Sequence, residues 1–219
     1  MSMNAKELIA RRVANEVRPD SLVNLGIGLP TLVVSYIPRG APVLFVTENG
    51  LIGVGPRPPH GMENPDLIDA GGGFIMAIPG AASLDSTATF GLIRGGHVDL
   101  TVLGGLQVDA RGRLANWMIP GRLVPGMGGA MDLVTGAKRV IVAMIHTAKG
   151  TPKIVEECAL PLTSVRPVSL VVTEMAVIEP TAEGLVLRER APGVSVADVV
   201  GATAAKLIIP PTVPEFALS

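Results

Sequence analysis

The chain has one cysteine, Cys158, among its 219 residues, so no disulfide can form within it. That excludes the disulfide-stapled secreted scaffolds and fits a reducing cytoplasm, the compartment expected here. Cys158 lies among Glu156, Glu157 and Leu160 with no activating partner beside it, and it reads as a buried structural thiol rather than a nucleophile. Long apolar runs are missing as well. Hydrophobic residues make up 48% of the chain and mean hydropathy is +0.48, yet stretches such as 140–145 fall far short of a bilayer span of roughly 18 to 20 residues. The amino end, Met1 to Glu7, shows no charged-then-apolar signal segment. Charge of one sign is also lacking. The 18 basic and 19 acidic residues are spread along the chain, leaving no basic patch for a phosphate backbone, so nucleic acid is not an expected partner. No linker, internal repeat or low-complexity tract divides the sequence, and a single domain over residues 1–219 is expected.

What is present is an apolar α/β pattern. With only 17% charged residues, both faces of a sheet are expected to be covered, with apolar surface left over for another subunit. Leu8, Ile9, Val13 and Val17 recur at helical spacing, and Pro19 and Asp20 end that helix. Strands are expected at 22–25, 43–47, 74–78, 98–103 and 139–145. A hairpin is expected at 107–114, and further strands at 169–173, 175–179 and 185–189, the last two joined by a turn at 180–184. Helices are expected from Pro30 to Ile37, from Ser83, and from a Ser195 cap through Val196 to Ala205. Alternating strands and helices point to a mainly parallel sheet covered by helices, with an antiparallel addition at one edge in the carboxyl third.

Two places concentrate chemistry. Asn24-Leu25-Gly26-Ile27-Gly28 takes a strand through a glycine loop into a helix, but Thr31 stands where a dinucleotide fingerprint has its third glycine. A phosphate-cradling loop and a tight structural turn remain equally open there. The second place is Thr47-Glu48-Asn49-Gly50, which sets a lone carboxylate where an apolar strand breaks into a glycine-rich loop, the carboxyl end at which parallel sheets bind ligands. Glu48 reads either as a catalytic carboxylate or as a turn cap. The histidines 60, 97 and 146 show no metal-ligand spacing; His97 and His146 are expected as satisfied core residues and His60 as a solvent or interface residue. Trp117 is expected in the core or at a subunit interface, and Met118, Met127 and Met131 in packing.

Taken with Ile93-Arg94-Gly95-Gly96-His97-Val98-Asp99, Leu114-Ala115-Asn116-Trp117, and the run from Met118-Ile119-Pro120-Gly121 through Gly126-Met127-Gly128-Gly129-Ala130-Met131-Asp132-Leu133, these motifs resemble the B (β) subunit of family I CoA-transferases. The similarity runs from about residue 5 to about residue 200 and looks closest to acetoacetate and other 3-oxoacid CoA-transferases. It implies the family fold and Glu48 as nucleophile. The chemistry would be ping-pong transfer of CoA from succinyl-CoA or acetyl-CoA to a short acid or 3-oxoacid, through a glutamyl-CoA thioester. It further implies the Gly129 N–H as one oxyanion donor, a glutamine of an A (α) subunit as another, and Gly26, Gly28, Asn49, Gly50 and Gly128 around the CoA and the nucleophile turn. No metal and no resident cofactor are implied, CoA being a substrate, and the assembly would be a heterotetramer. The sequence departs from the family pattern at Thr47, where serine is usual, and at Phe45-Val46, where Leu or Phe is followed by His or Gln; Thr47 keeps a hydroxyl, so the chemistry is expected to survive. The alternatives are a 3-oxoadipate CoA-transferase subunit, a CoA-thioester hydrolase and, in another class, a non-catalytic CoA- or effector-binding module of related fold.

Overall fold

The computed structural model describes residues 4–122 and 126–218; Met1 to Met3 of the amino-end reading lie outside them. Asn4 starts α1 (Ala5–Ala14) with a capping box, its side chain accepting the Glu7 N–H while the Glu7 carboxylate accepts the Asn4 N–H. β1 (Ser21–Leu25) follows, then a 3-10 helix (Leu29–Tyr36) where an ordinary helix was expected. β2 (Val43–Val46) and β3 (Leu51–Val54) flank the Glu48 turn, and β4 (Ala77–Ser83) replaces the strand expected at 74–78. Asp85, not Ser83, caps α2 (Ser86–Arg94) by accepting the Ala88 N–H. β5 (Leu100–Leu103) precedes the expected hairpin, β6 (Gln107–Asp109) and β7 (Leu114–Ala115). α3 (Ala130–Gly136) leads into β8 (Arg139–Ala143), followed by the short β9 (Thr147–Ala148), β10 (Thr151–Pro152) and β11 (Ile154–Val155). β12 (Leu170–Val172), β13 (Ala176–Thr181) and β14 (Gly184–Arg190) come next, then α4 (Val196–Ala202), capped by Ser195 as expected, and β15 (Leu207–Ile208).

Ten strands make one sheet in the order β15-β14-β13-β12-β8-β5-β1-β2-β3-β4, while β6 pairs β7 and β11 in a smaller one. The five central strands, β12, β8, β5, β1 and β2, are parallel. The antiparallel β13 and β14 provide the edge addition expected in the carboxyl third, and β15 joins them in parallel. A second antiparallel pair, β3 and β4, closes the other edge.

The pleat sends alternate side chains to opposite faces. Val140 and Val142 pack with α2, α3 and α4 through Ile93, Leu133, Val134 and Val199. Ile141 and Ala143 pack with α1 and the 3-10 helix through Ile9, Val13 and Val33. Both faces of the central sheet are therefore covered, which explains why β8 is continuously apolar from Val140 to Ala143 rather than alternating. β2 departs from the fully buried strand expected at 43–47, since Leu44 is exposed and its far side pairs antiparallel with β3.

Candidate active site

Glu48 leaves the carboxyl end of β2 in a four-residue turn closed by three hydrogen bonds. The Thr47 N–H donates to Leu51 O at 2.9 Å, the Gly50 N–H donates to Thr47 O at 3.1 Å, and the Thr47 hydroxyl accepts the Leu51 N–H at 3.1 Å. The hydroxyl of Thr47 thus closes the turn, a task serine would share. Gly50 has φ +119°, and an added Cβ would lie 2.2 Å from Leu84 O, so only glycine lets the chain reverse here. The Asn49 amide donates to Ile68 O at 2.8 Å and anchors the neighbouring 68–74 hairpin to the turn.

The half-buried Glu48 side chain meets the segment before α3, 81 residues away: the Gly129 N–H donates to Oε1 at 3.3 Å. A Cβ on Gly129 would sit 2.6 Å from Oε2 and 2.9 Å from the carboxyl carbon, and one on Gly128 3.3 Å from Oε1. The Gly128-Gly129 pair therefore leaves the carboxylate open and offers it an amide, and any side chain at 129 would displace it. Gly26 and Gly28 lie beyond the carboxyl end of β1, the strand beside β2; the Gly26 N–H donates to Val102 O at 2.8 Å and Gly28 precedes the 3-10 helix with φ +87°. Among the candidate residues the structure thus brings Glu48, Gly128 and Gly129 into contact. It uses Asn49 and Gly50 to build the turn and places Gly26 and Gly28 on the adjacent strand end.

The remaining candidates divide. His146 is fully buried, its Nδ1 and Nε2 each 2.9 Å from the hydroxyl oxygens of Thr173 and Thr203, and burial, with Lys153 adding to it, pushes its pKa down to about 4. It is the satisfied core histidine expected. His97 is not: it is exposed, because it lies in the turn between α2 and β5 and not on a strand. His60 is exposed as expected. Burial, with Asp109 adding to it, pushes the Cys158 thiol up to about 12, so it is a poor nucleophile. The half-buried Trp117 donates from its indole to Leu162 O at 3.3 Å, and Met131, expected in packing, is exposed on α3. Among the described residues no three His, Cys, Asp or Glu side chains cluster as metal ligands would, and no helix is long and apolar enough to cross a membrane.

Residues 6–202 match the family model described as coenzyme A transferase. The chain belongs to that family. It is 51% identical over 205 residues to the beta chain of the acetate CoA-transferase of Escherichia coli (strain K12), covering 93% of this chain and 94% of that one. Identity to the B-type component of the succinyl-CoA:3-ketoacid coenzyme A transferase of Helicobacter pylori (strain ATCC 700392 / 26695) is 48% over 202 residues, 92% of this chain and 97% of that one. Glutaconate coenzyme A-transferase from Acidaminococcus fermentans shares the fold, with a TM-score of 0.78 at 21% identity over 100% of this chain and 90% of that one. The chain is thus a CoA-transferase chain of the β type, and the mainly parallel sheet is the fold of this family.

Proposed function

We propose that this chain carries the nucleophile of a two-subunit CoA-transferase, and that Glu48 moves CoA from an acyl-CoA such as succinyl-CoA or acetyl-CoA to a short carboxylic acid or 3-oxoacid such as acetoacetate. The observation that supports this most is the Glu48 carboxylate set against the Gly129 amide with no side chain between them. A carboxylate oxygen attacks the acyl carbonyl and the C–S bond breaks, giving a mixed anhydride and CoA thiolate. The thiolate then adds to the Glu48 carbonyl carbon, expelling the first acid as its carboxylate and leaving a glutamyl-CoA thioester. An incoming carboxylate attacks that thioester and releases the thiolate, which then takes the new acyl group and restores Glu48.

Each addition puts negative charge on a carbonyl oxygen. When the thiolate adds to Glu48 itself, that oxygen is one of Glu48's own, and the Gly129 N–H already lies beside Oε1 at 3.3 Å, slightly beyond the 2.7–3.1 Å of a working oxyanion donor. The addition to the acyl carbonyl needs a donor elsewhere, and an α subunit is the proposed source. Its seat is the apolar surface beside the turn. Ile27, Ile68, Phe74 and Met76 are all exposed, Ile27 lies against Gly71 at the tip of the 68–74 hairpin, and β4 has no partner on its outer edge among the described residues. A partner docked there would also exclude the water that would hydrolyse the thioester. The same reading takes Gly26 and Gly28 as CoA-lining, CoA as substrate with no resident cofactor or metal, one domain per chain, a heterotetrameric assembly and a cytoplasmic setting.

The test is mass spectrometry of the chain, with and without an α subunit, after incubation with acetoacetyl-CoA or succinyl-CoA. A CoA adduct on the Glu48 peptide that an added acid discharges into new acyl-CoA is the expected result. No adduct in the full complex with any short acyl-CoA, or acyl-CoA consumed without an acceptor acid, would remove the transferase mechanism.

A further inference from the structure

The central strands carry two polar side chains in a layer that is otherwise aliphatic. Asn24 in β1 is 3% exposed and Thr101 in β5 is 0% exposed, and they stand in register with each other and with Val46 of β2. The Thr101 hydroxyl donates to Asn24 Oδ1 at 2.9 Å, and Asn24 Nδ2 donates to Val46 O at 3.1 Å. Three adjacent strands are therefore linked by one side-chain relay that ends on the backbone two residues before Glu48.

The relay acts on a specific peptide group. The carbonyl of the Val46–Thr47 unit is held by Asn24 and its N–H donates to Leu51 O at 2.9 Å, so the plane is fixed from both ends. The next carbonyl, Thr47 O, is held by the Gly50 N–H at 3.1 Å. Rotation of the Val46–Thr47 plane would swing the turn and carry Glu48 away from Gly129.

Stability accounts for only part of this pair. Replacing both partners of the Thr101–Asn24 bond by apolar groups of similar shape would be near neutral beside the aliphatic Val46 and Val140, and only the Asn24 bond to Val46 O leaves a backbone group behind when it is lost. Positioning accounts for the rest, because a shift of about 1 Å at a reacting group costs on the order of a hundredfold in rate.

We infer that Asn24 and Thr101 are positioning residues that aim Glu48 at its acyl-CoA and at the Gly129 amide. This rests on Glu48 being the nucleophile. Neither residue touches substrate; both act through the backbone of the turn.

The experiment uses the complex with its α subunit and compares the parent with the double variant Asn24→Leu/Thr101→Val, following the rate of CoA-adduct formation on Glu48, the KM for acyl-CoA and the melting temperature. The double variant is expected to fold with at most a modest fall in melting temperature from the lost Asn24 bond to Val46 O, to keep its KM within about twofold, and to form the adduct at least about tenfold more slowly. Thr101→Ser, which retains the hydroxyl, keeps the parent rate. Should the double variant not fold, Thr101→Val alone, which swaps one hydroxyl for a methyl, is measured in the same way. An adduct formed at the parent rate in a folded variant would overturn the positioning role alone, as would a rate loss that Thr101→Ser shares. An adduct missing from the parent complex would overturn the nucleophile reading, and the positioning role with it.

Discussion

β13 and β14 at one end of the sheet each bury three consecutive residues and expose only Arg188, while β4 at the other end buries none and is mostly exposed. The buried edge is tied down by a set of ion pairs. Arg12, itself buried, spans Glu16 and Glu189, Arg139 reaches Glu16, and Arg190 pairs with Glu215. His146 joins the loop after β8 to the β12–β13 turn and to Thr203 at the end of α4. The open edge has apolar side chains in solvent and an edge strand containing Pro79 and Gly80. Glu48 sits beside the open edge. On the proposed function the difference is a division of labour: one edge closes the fold upon itself, and the other is left for the α subunit.

The sharpest way to test that division is to damage each edge and ask what is lost. Glu48→Gln should lower CoA exchange by about a thousandfold or more, on the order of what removing a nucleophile costs, while the melting temperature holds. The side chain contributes one 3.3 Å hydrogen bond to the fold, so little stability depends on it. Exchange kinetics beside a thermal melt decide the matter; a variant that keeps a tenth of the parent rate is incompatible with a nucleophilic Glu48.

At the buried edge the corresponding loss is of stability. The hydroxyl oxygens of Thr173 and Thr203 lie 2.9 Å from Nδ1 and Nε2 of His146, and each hydroxyl also reaches a backbone carbonyl, Ala176 O at 3.2 Å and Val199 O at 2.7 Å. Burial, with Lys153 adding to it, disfavours the charged imidazolium here. The folded pKa of about 4 lies below the ordinary 6.5, so the unfolded chain binds the proton first as pH falls. Stability is full above about pH 6.5 and should decline by about 3 kcal/mol on the way to pH 4. The carboxylates whose pKa values are lowered in the fold add their losses only below their ordinary values. For Glu16 that value is 4.5; burial opposes the shift, and the hydrogen bonds to Arg139 and Arg12 outweigh it. Urea titrations of the parent and of His146→Gln across that window would separate the two sources; an equal slope in both would show that His146 is not the sensor.

The buried edge was also the legible one. The hairpin of β13 and β14, the Ser195 cap and the apolar β8 all follow from short-range pattern, because burial on both faces leaves a continuous aliphatic run and turns need particular residues. The open edge was misread for equally physical reasons. Gly53 and Gly55 resemble loop residues, yet Gly53 sits in β3 against Ala81, where the pairing register shifts. Pro79 and Gly80 argue against a strand, yet β4 tolerates them because it lies at the end of the sheet order. Of the site, the position of Glu48 at a strand end was readable, but its contact with Gly129 across 81 residues is invisible to periodicity, and resemblance supplied it. Asn24 and Thr101 were missed as a pair, although each is a polar residue inside an aliphatic run and so carried its own signal.

Gly129→Ala makes a smaller change at the same place as Glu48→Gln. Its Cβ would meet Oε2 at 2.6 Å and the carboxyl carbon at 2.9 Å, so the carboxylate must move to make room. With φ at −81°, alanine introduces no backbone strain, and the fold should hold. On the proposed reading of Glu48 as nucleophile, a fall in kcat/KM on the order of a hundredfold is expected, with the loss in kcat, because the displaced carboxylate would be out of line for attack. Unchanged turnover would mean that the carboxylate reacts from a different position.

The mildest perturbation leaves the chemistry intact and addresses the open edge itself. Phe74 is exposed on the hairpin whose first strand residue, Ile68, accepts the Asn49 amide, so a charge there disturbs no core contact but lies next to the Glu48 turn. Phe74→Glu should leave the melt of the isolated chain nearly unchanged, since exposed substitutions commonly fall within about 0.5 kcal/mol. Association with the α subunit should weaken by about tenfold or more, because a buried aromatic anchor would be exchanged for an unpaired charge. The matched control is Ile209→Glu, an exposed residue just past β15 at the opposite end of the sheet, which should leave α-subunit pairing unaltered. Sedimentation or size-exclusion profiles of the mixed subunits distinguish the two. If Ile209→Glu separates the subunits and Phe74→Glu does not, the partner sits on the other edge, and the second oxyanion donor must come from this chain.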